Sequence, residues 1–91
     1  MNKKELAQIE RHMQAACYGM LSKLDNLLIA RLKMKSHSNT HRYQSGNLTA
    51  GEYRLLQLEL LDLASMVSNL NSYCEILNAV YCDCNNAEVW L

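Results

Sequence analysis

Two segments of the chain repeat apolar residues at alternating spacings of three and four. In the second half, the series continues from Tyr53 to Cys84 without interruption by a charged residue. Its members are Tyr53, Leu56, Leu60, Leu63, Val67, Leu70, Cys74, Leu77, Tyr81 and Cys84. This spacing is typical of a helix that packs along its length against another helix. We therefore predict one helix over residues 50–82, approximately, followed by a short tail over residues 83–91.

The first half of the chain has the same spacing, interrupted only by Lys23. Its members are Leu6, Ile9, Met13, Ala16, Met20, Lys23, Leu27, Ala30 and Met34. We predict a first helix over residues 3–35, approximately. The spacing is lost over residues 36–48, where Ser, Asn and Gly are frequent, so we interpret this segment as a basic connecting loop.

The starts of both predicted helices have capping patterns. Thr49 and Glu52 have the S/T-x-x-E spacing of a capping box, in which each side chain accepts a hydrogen bond from a backbone N–H. Asn2 and Glu5 show a weaker form of this pattern. We expect the helices to begin directly after Asn2 and Thr49.

These elements predict an all-α protein, a single domain over residues 1–91 that forms a long antiparallel two-helix hairpin. Each helix also has leucines outside its main apolar seam. They are Leu21, Leu28, Leu32, Leu55, Leu58 and Leu61. A lone hairpin buries one face of each helix, so the additional leucines favour dimerisation into a four-helix bundle of the coiled-coil type.

Composition narrows the classes of function. The longest unbroken apolar run is Leu27–Ala30, far short of the roughly 20 residues that span a bilayer. The charges at Glu5, Glu10 and Arg11 are unlike a secretory signal. We therefore expect a cytoplasmic protein that does not enter membranes, with its four cysteines reduced.

Charge is unevenly distributed in this formally neutral chain. Residues 1–54 contain nine basic and four acidic residues, whereas residues 55–91 contain no basic and five acidic residues. The acid-free stretch between Asn26 and Gly51 suggests a surface for phosphates, with an aromatic ring for base stacking. The candidate nucleic-acid contacts are Arg31, Lys33, Lys35, Arg42 and Tyr43. Dedicated nucleic-acid binders are usually strongly basic, so a nucleic-acid-binding dimer is the alternative rather than the main hypothesis.

The sequence contains only weak indications of a metal site or of a catalytic site. The Cys82-x-Cys84 pair lacks the usual C-x₂₋₄-C spacing of zinc ligands, and buried structural thiols are the simpler interpretation, although the sequence leaves zinc open. His37 and His41 have the spacing of a helical metal pair but lie in the predicted loop. No set of nucleophile, base and orienting group is evident, so we predict neither an enzyme nor a cofactor.

The pattern therefore predicts a small regulatory or adaptor protein that acts by protein–protein interaction. The surplus apolar faces favour a homodimer and a further protein partner, and Trp90 is of the residue type enriched in binding hot spots. The predicted interface residues are Leu28, Leu32, Leu55, Leu58, Leu61 and Trp90.

Overall fold

A computed structural model describes residues 2–91, apart from the side chains of residues 17–19, 21 and 22. This part of the chain contains three α-helices: α1 (Lys3–Gln44), α2 (Ala50–Ala64) and α3 (Leu70–Ala87). The predicted all-α class is confirmed. The predicted two-helix hairpin is wrong in two respects: α1 continues through most of the expected loop, and the second expected helix is two helices.

The three helices form an up-down-up bundle at one end of the molecule. Asn39 of α1 contacts Gln57 of α2, and Asp25 contacts Ser68 just before α3. Hence α2 returns along α1, and α3 then follows the direction of α1. The molecule measures 66 × 18 × 16 Å, because α1 alone is about 63 Å long at 1.5 Å per residue.

Only the second half of α1 takes part in this bundle. We call residues 25–44 the bundled half and residues 3–24 the arm. Asp25 is the first residue of α1 that is hydrogen-bonded to the α2–α3 turn. No arm residue whose side chain the structure describes is buried. The arm therefore extends beyond the bundle as a single helix whose described side chains are exposed, apart from the half-buried Ala7.

The core lies between the bundled half, α2 and α3. Its buried members are Ile29, Leu32, Tyr53, Leu60, Ala64, Ile76, Val80, Cys84 and Val89. Leu32 is only 5% exposed, and Leu28 and Leu61 pack against this core. The expectation that these three leucines face a partner is therefore corrected. They pack in or against the core formed by the helices of the same chain.

The expected loop over residues 36–48 is mostly helical because its polar residues form part of the core. Ser36, Asn39 and Thr40 are all buried. Each side chain is hydrogen-bonded to a residue of α2 or α3, at distances of 2.6–3.0 Å. Buried polar groups with partners are tolerated in a core, so the absence of apolar spacing did not mean a loop. The actual connection is residues 45–49, where Gly46 has a φ of 82° that favours glycine.

The predicted helix starts are confirmed. The Asn2 side chain accepts a hydrogen bond from the Glu5 backbone N–H at 2.9 Å. Thr49 Oγ1 accepts from the Glu52 N–H at 3.1 Å, and the Glu52 carboxylate accepts from the Thr49 N–H at 2.9 Å. Both caps involve residues three apart, so they form wherever the local sequence allows them.

A turn over residues 65–69 separates α2 from α3, where the apolar spacing predicted a continuous helix. Asn69 caps α3 by accepting from the Ser72 N–H at 2.8 Å. The Asp25 carboxylate accepts from the Ser68 N–H and hydroxyl and from the Asn69 amide, at 2.7–3.2 Å. These bonds hold the turn against α1 and lower the pKa of Asp25, with the Ser68 hydroxyl as the largest contribution.

We expect Asp25→Asn to lower the unfolding midpoint at neutral pH, because the charged acceptor of the turn is lost. A lowered pKa means that the ionised form stabilises the fold. The stabilisation by the ionised Asp25 is therefore complete above the ordinary aspartate pKa of 3.8. It is lost as the pH falls through the lower pKa that Asp25 has in the folded protein. Thermal unfolding of both proteins across acidic pH measures this, and their midpoints should converge at the acidic end. A constant difference at every pH would contradict the assignment.

Candidate interaction surface

A stripe of exposed apolar residues follows the whole outer face of α1. It consists of the nine positions Leu6, Ile9, Met13, Ala16, Met20, Lys23, Leu27, Ala30 and Met34, and we call it the outer stripe. All nine side chains are exposed, and the six large apolar ones range from 42% to 71% exposed. The prediction that this seam packs against the second helix of the same chain is therefore wrong.

The stripe is exposed because α1 has two apolar faces. The inner face contains Ile29, Leu32 and Ser36, which contact α2 and α3. At 100° per residue, Leu27 and Met34 lie on the opposite side of the helix. From Leu6 to Met34 the stripe is about 42 Å long. A contiguous apolar surface of this length is typical of a protein–protein interface.

An open groove between α1 and α2 borders this stripe. Its volume is about 710 Å³. The residues that line it are Arg31, Leu32, Met34, Lys35, Ser38, Glu59, Leu60 and Leu63. The buried Leu32 and Leu60 form its floor, while Met34 and Leu63 are exposed at its edges. The apolar spacing predicts Leu63 in the internal seam, but its side chain is 42% exposed at the edge of the groove.

The other predicted interface residues lie apart from this surface. Leu55 and Leu58 of α2 are exposed but do not line the α1–α2 groove. Trp90 is also exposed and borders a smaller open cavity of about 410 Å³ next to Tyr81. The predicted tail over residues 83–91 is corrected, because α3 continues to Ala87 and only residues 88–91 follow it. The Trp90 carbonyl accepts a hydrogen bond from Arg54 Nε at 3.0 Å, which holds these last residues against α2. The structure therefore does not bring these three residues together with the outer stripe.

All five predicted nucleic-acid contacts lie on helix α1, including Arg42 and Tyr43, which were expected in the connecting loop. Arg31 and Lys35 line the α1–α2 groove, whereas Lys33 faces α3 and pairs with Glu75 at 3.2 Å. The ring of Tyr43 stacks on Tyr53 with centroids 5.0 Å apart, so one face of it is covered. Arg42 is exposed near the end of α1. Arg31, Lys35 and Arg42 therefore share one exposed face of α1, whereas Lys33 and Tyr43 lie on other sides of the helix.

A buried polar network connects the three helices. Asn39 donates to Gln57 Oε1 at 3.0 Å, and Gln57 donates to Ser36 Oγ at 2.9 Å. The hydroxyls of Thr40 and Tyr53 lie 2.8 Å apart. Burial raises the pKa of Tyr53 to about 12, against the opposing effect of the hydrogen bond to Thr40. The network fixes how the helices pack.

The network includes a serine, a histidine and an aspartate, but their order does not suit catalysis. Asp83 Oδ2 accepts from Ser36 Oγ at 2.6 Å and contacts His37 Nδ1 at 2.7 Å. In a nucleophilic triad the imidazole lies between the serine and the carboxylate and takes the serine proton. Here the carboxylate lies between them, and Ser36 is fully buried. This arrangement is structural.

The three cysteines whose side chains the structure describes, Cys74, Cys82 and Cys84, do not assemble with other metal ligands. Cys84 is buried 3.8 Å from Gln57 Nε2, whereas Cys82 is exposed on the adjacent surface of α3. Among the residues that the structure describes, no three His, Cys, Asp or Glu side chains converge as metal ligands would. Within the same part of the chain, no helix is both long and apolar enough to cross a membrane.

Comparisons with known proteins identify no relative of this chain. No protein-family model, no curated protein and no solved structure matches it. Its function is therefore inferred from the outer stripe, the α1–α2 groove and the charges beside them.

Proposed function

We propose that this chain is a non-enzymatic regulatory or adaptor protein that binds a helix of a protein partner along the outer stripe. The observation that carries the proposal is the exposure of all nine stripe positions on the face of α1 opposite the bundle. Burying a large apolar side chain contributes about 1.5–3 kcal/mol. A partner that covers six such side chains would gain substantially from doing so.

The spacing of the stripe favours a helical partner. Its positions repeat every three and four residues, which is the a and d pattern of a heptad repeat. Side chains in this pattern insert between those of a second helix that lies alongside. A partner strand would instead need unpaired backbone groups, and a helix such as α1 has none along its sides. The length of about 42 Å corresponds to about 28 residues of partner helix.

Site-specific photo-cross-linking in cells that express the full chain tests this proposal. A benzophenone side chain replaces Met20 on the outer stripe, or Arg11 on the opposite face of the same arm as the matched control. We expect at least about fivefold more polypeptide adduct from the Met20 position than from the Arg11 position. Benzophenones react with groups in direct contact, and the partner would cover the outer stripe but not the opposite face. The absence of adducts at Met20, or equal adducts at both positions, would overturn the proposal.

A further inference from the structure

We propose that the helix on the outer stripe is the α1 helix of a second copy of this chain, paired antiparallel. This inference depends on the proposed function, and it names the partner. The arm of each copy would lie along the bundled half of the other. Three features support this arrangement: the sizes of the stripe residues, the charges beside the stripe, and the position of the stripe relative to the bundle.

The small residues of the stripe all lie at d positions. The a positions are all large: Leu6, Met13, Met20, Leu27 and Met34. The d positions are Ile9, Ala16, Lys23 and Ala30, of which two are alanine. In a parallel pair, a positions meet a positions, so large side chains would crowd and alanines would leave gaps. In an antiparallel pair each a position faces a d position, so Met13 and Leu27 fit against Ala30 and Ala16 of the second copy. The long side chain of Lys23, opposite Met20, can extend to the solvent beside the interface.

Charges beside the stripe favour the same orientation. Glu10 and Arg31 occupy equivalent heptad positions at opposite ends of the stripe. When Ile9 faces Met34 of the second copy, the antiparallel pair places Glu10 beside Arg31 of that copy, twice per dimer. A parallel pair would instead place Glu5 beside Glu10 of the second copy, which is repulsive. Among the described residues Arg31 has no ion-pair partner, whereas Lys33 is already bound to Glu75.

The stripe is placed so that a second copy does not disturb the bundle. It faces away from α2 and α3, and the α1–α2 groove beside it remains open. Each end of the dimer would then contain four helices: the bundled half, α2 and α3 of one copy and the arm of the other. The arm, which has no buried side chain among those described, would be packed in this assembly. The four-helix unit would thus use three helices from one chain and one from the other.

Mass and cross-linking of the purified chain test the inference. Under reducing conditions, light scattering should give about twice the chain mass of 10.4 kDa. To determine the relative orientation of the two copies by cross-linking, Cys17, Cys74 and Cys82 are first replaced by serine. Protein with Ile9→Cys is then mixed with protein with Met34→Cys and treated with a short bismaleimide. We expect at least about fivefold more of the mixed adduct than of either self-adduct, since these positions face each other only in the antiparallel dimer.

The outcomes separate this inference from the proposed function. A monomeric mass together with Met20 adducts to a different polypeptide would overturn the second copy as partner and leave the proposed function intact. Predominant self-adducts of Ile9→Cys would overturn the antiparallel orientation. A monomeric mass without any Met20 adduct would overturn both. As a matched control, Arg11→Cys replaces Ile9→Cys in the mixture and should give little mixed adduct, because it lies on the opposite face of the arm.

Discussion

Leu27→Glu is expected to convert the dimer to a monomer and to raise its dissociation constant by at least about 100-fold. Leu27 is 58% exposed in the single chain, so the bundle should tolerate the change. In the proposed dimer this position faces Ala16 of the second copy. Because each copy contributes one glutamate, the dimer interface would bury two unpaired carboxylates. An unpaired buried charge costs about 3 kcal/mol or more, and every 1.4 kcal/mol is a factor of ten in affinity. Light scattering over a dilution series measures the change.

A matched control separates this effect from a general effect of adding charge. Leu55→Glu makes the same substitution at an exposed leucine of α2 that does not line the α1–α2 groove. Its dissociation constant should stay within about threefold of that of the unmodified chain, because surface substitutions usually change the free energy by less than about 0.5 kcal/mol. Equal weakening by both variants would contradict the assignment of the interface to the outer stripe.

Gln57→Ala is expected to lower the free energy of unfolding of the bundle by about 3 kcal/mol. Gln57 is fully buried, and its amide joins Asn39 to Ser36 through hydrogen bonds of 3.0 and 2.9 Å. Alanine would leave both side chains short of a partner in the core and would also create a cavity. Each buried polar group left without a partner costs about 1–3 kcal/mol.

Urea unfolding followed by circular dichroism measures this loss. Both variants are measured in protein that also has Leu27→Glu, which we expect to be monomeric. In a dimer, the apparent free energy of unfolding would depend on the protein concentration. Gln8→Ala is the control, since Gln8 is exposed in the arm and alanine is the strongest helix former. It should leave the stability unchanged within about 0.5 kcal/mol. A loss below about 1 kcal/mol for Gln57→Ala would mean that the network contributes little to the fold.

The structure also shows why the apolar spacing of α1 was assigned to the wrong partner. The outer stripe has the more regular pattern, so the sequence alone favoured it as the internal seam. The inner face contains the apolar Ile29 and Leu32 together with the polar Asp25, Ser36 and Asn39, all of them buried. In the sequence, the three polar residues suggest a face exposed to solvent. Those polar residues are buried because α2 and α3 supply their hydrogen-bond partners. A search for apolar residues alone does not detect a core of this kind.

The turn between α2 and α3 was missed for a related reason. Apolar spacing continues across it from Leu63 through Val67 to Leu70, as it would in one long helix. The local signal was the Ser68-Asn69 pair, residue types that favour caps and turns. This local signal produces a turn because Asp25, 43 residues away from Ser68, accepts hydrogen bonds from Ser68.

The sequence by itself determined the helical class, the helix starts after Asn2 and Thr49, and the presence of a heptad stripe on α1. These features depend on residues only a few positions apart, whose interactions form within a single helix. The tertiary structure decided which face of α1 is buried, that residues 36–44 are helical, and where the second helix breaks. Those choices depend on contacts between residues 13 to 47 positions apart, such as Thr40 with Tyr53 and Ser36 with Asp83. Local spacing does not contain such contacts, because both faces of α1 are compatible with a helix and only the packing of α2 and α3 distinguishes them.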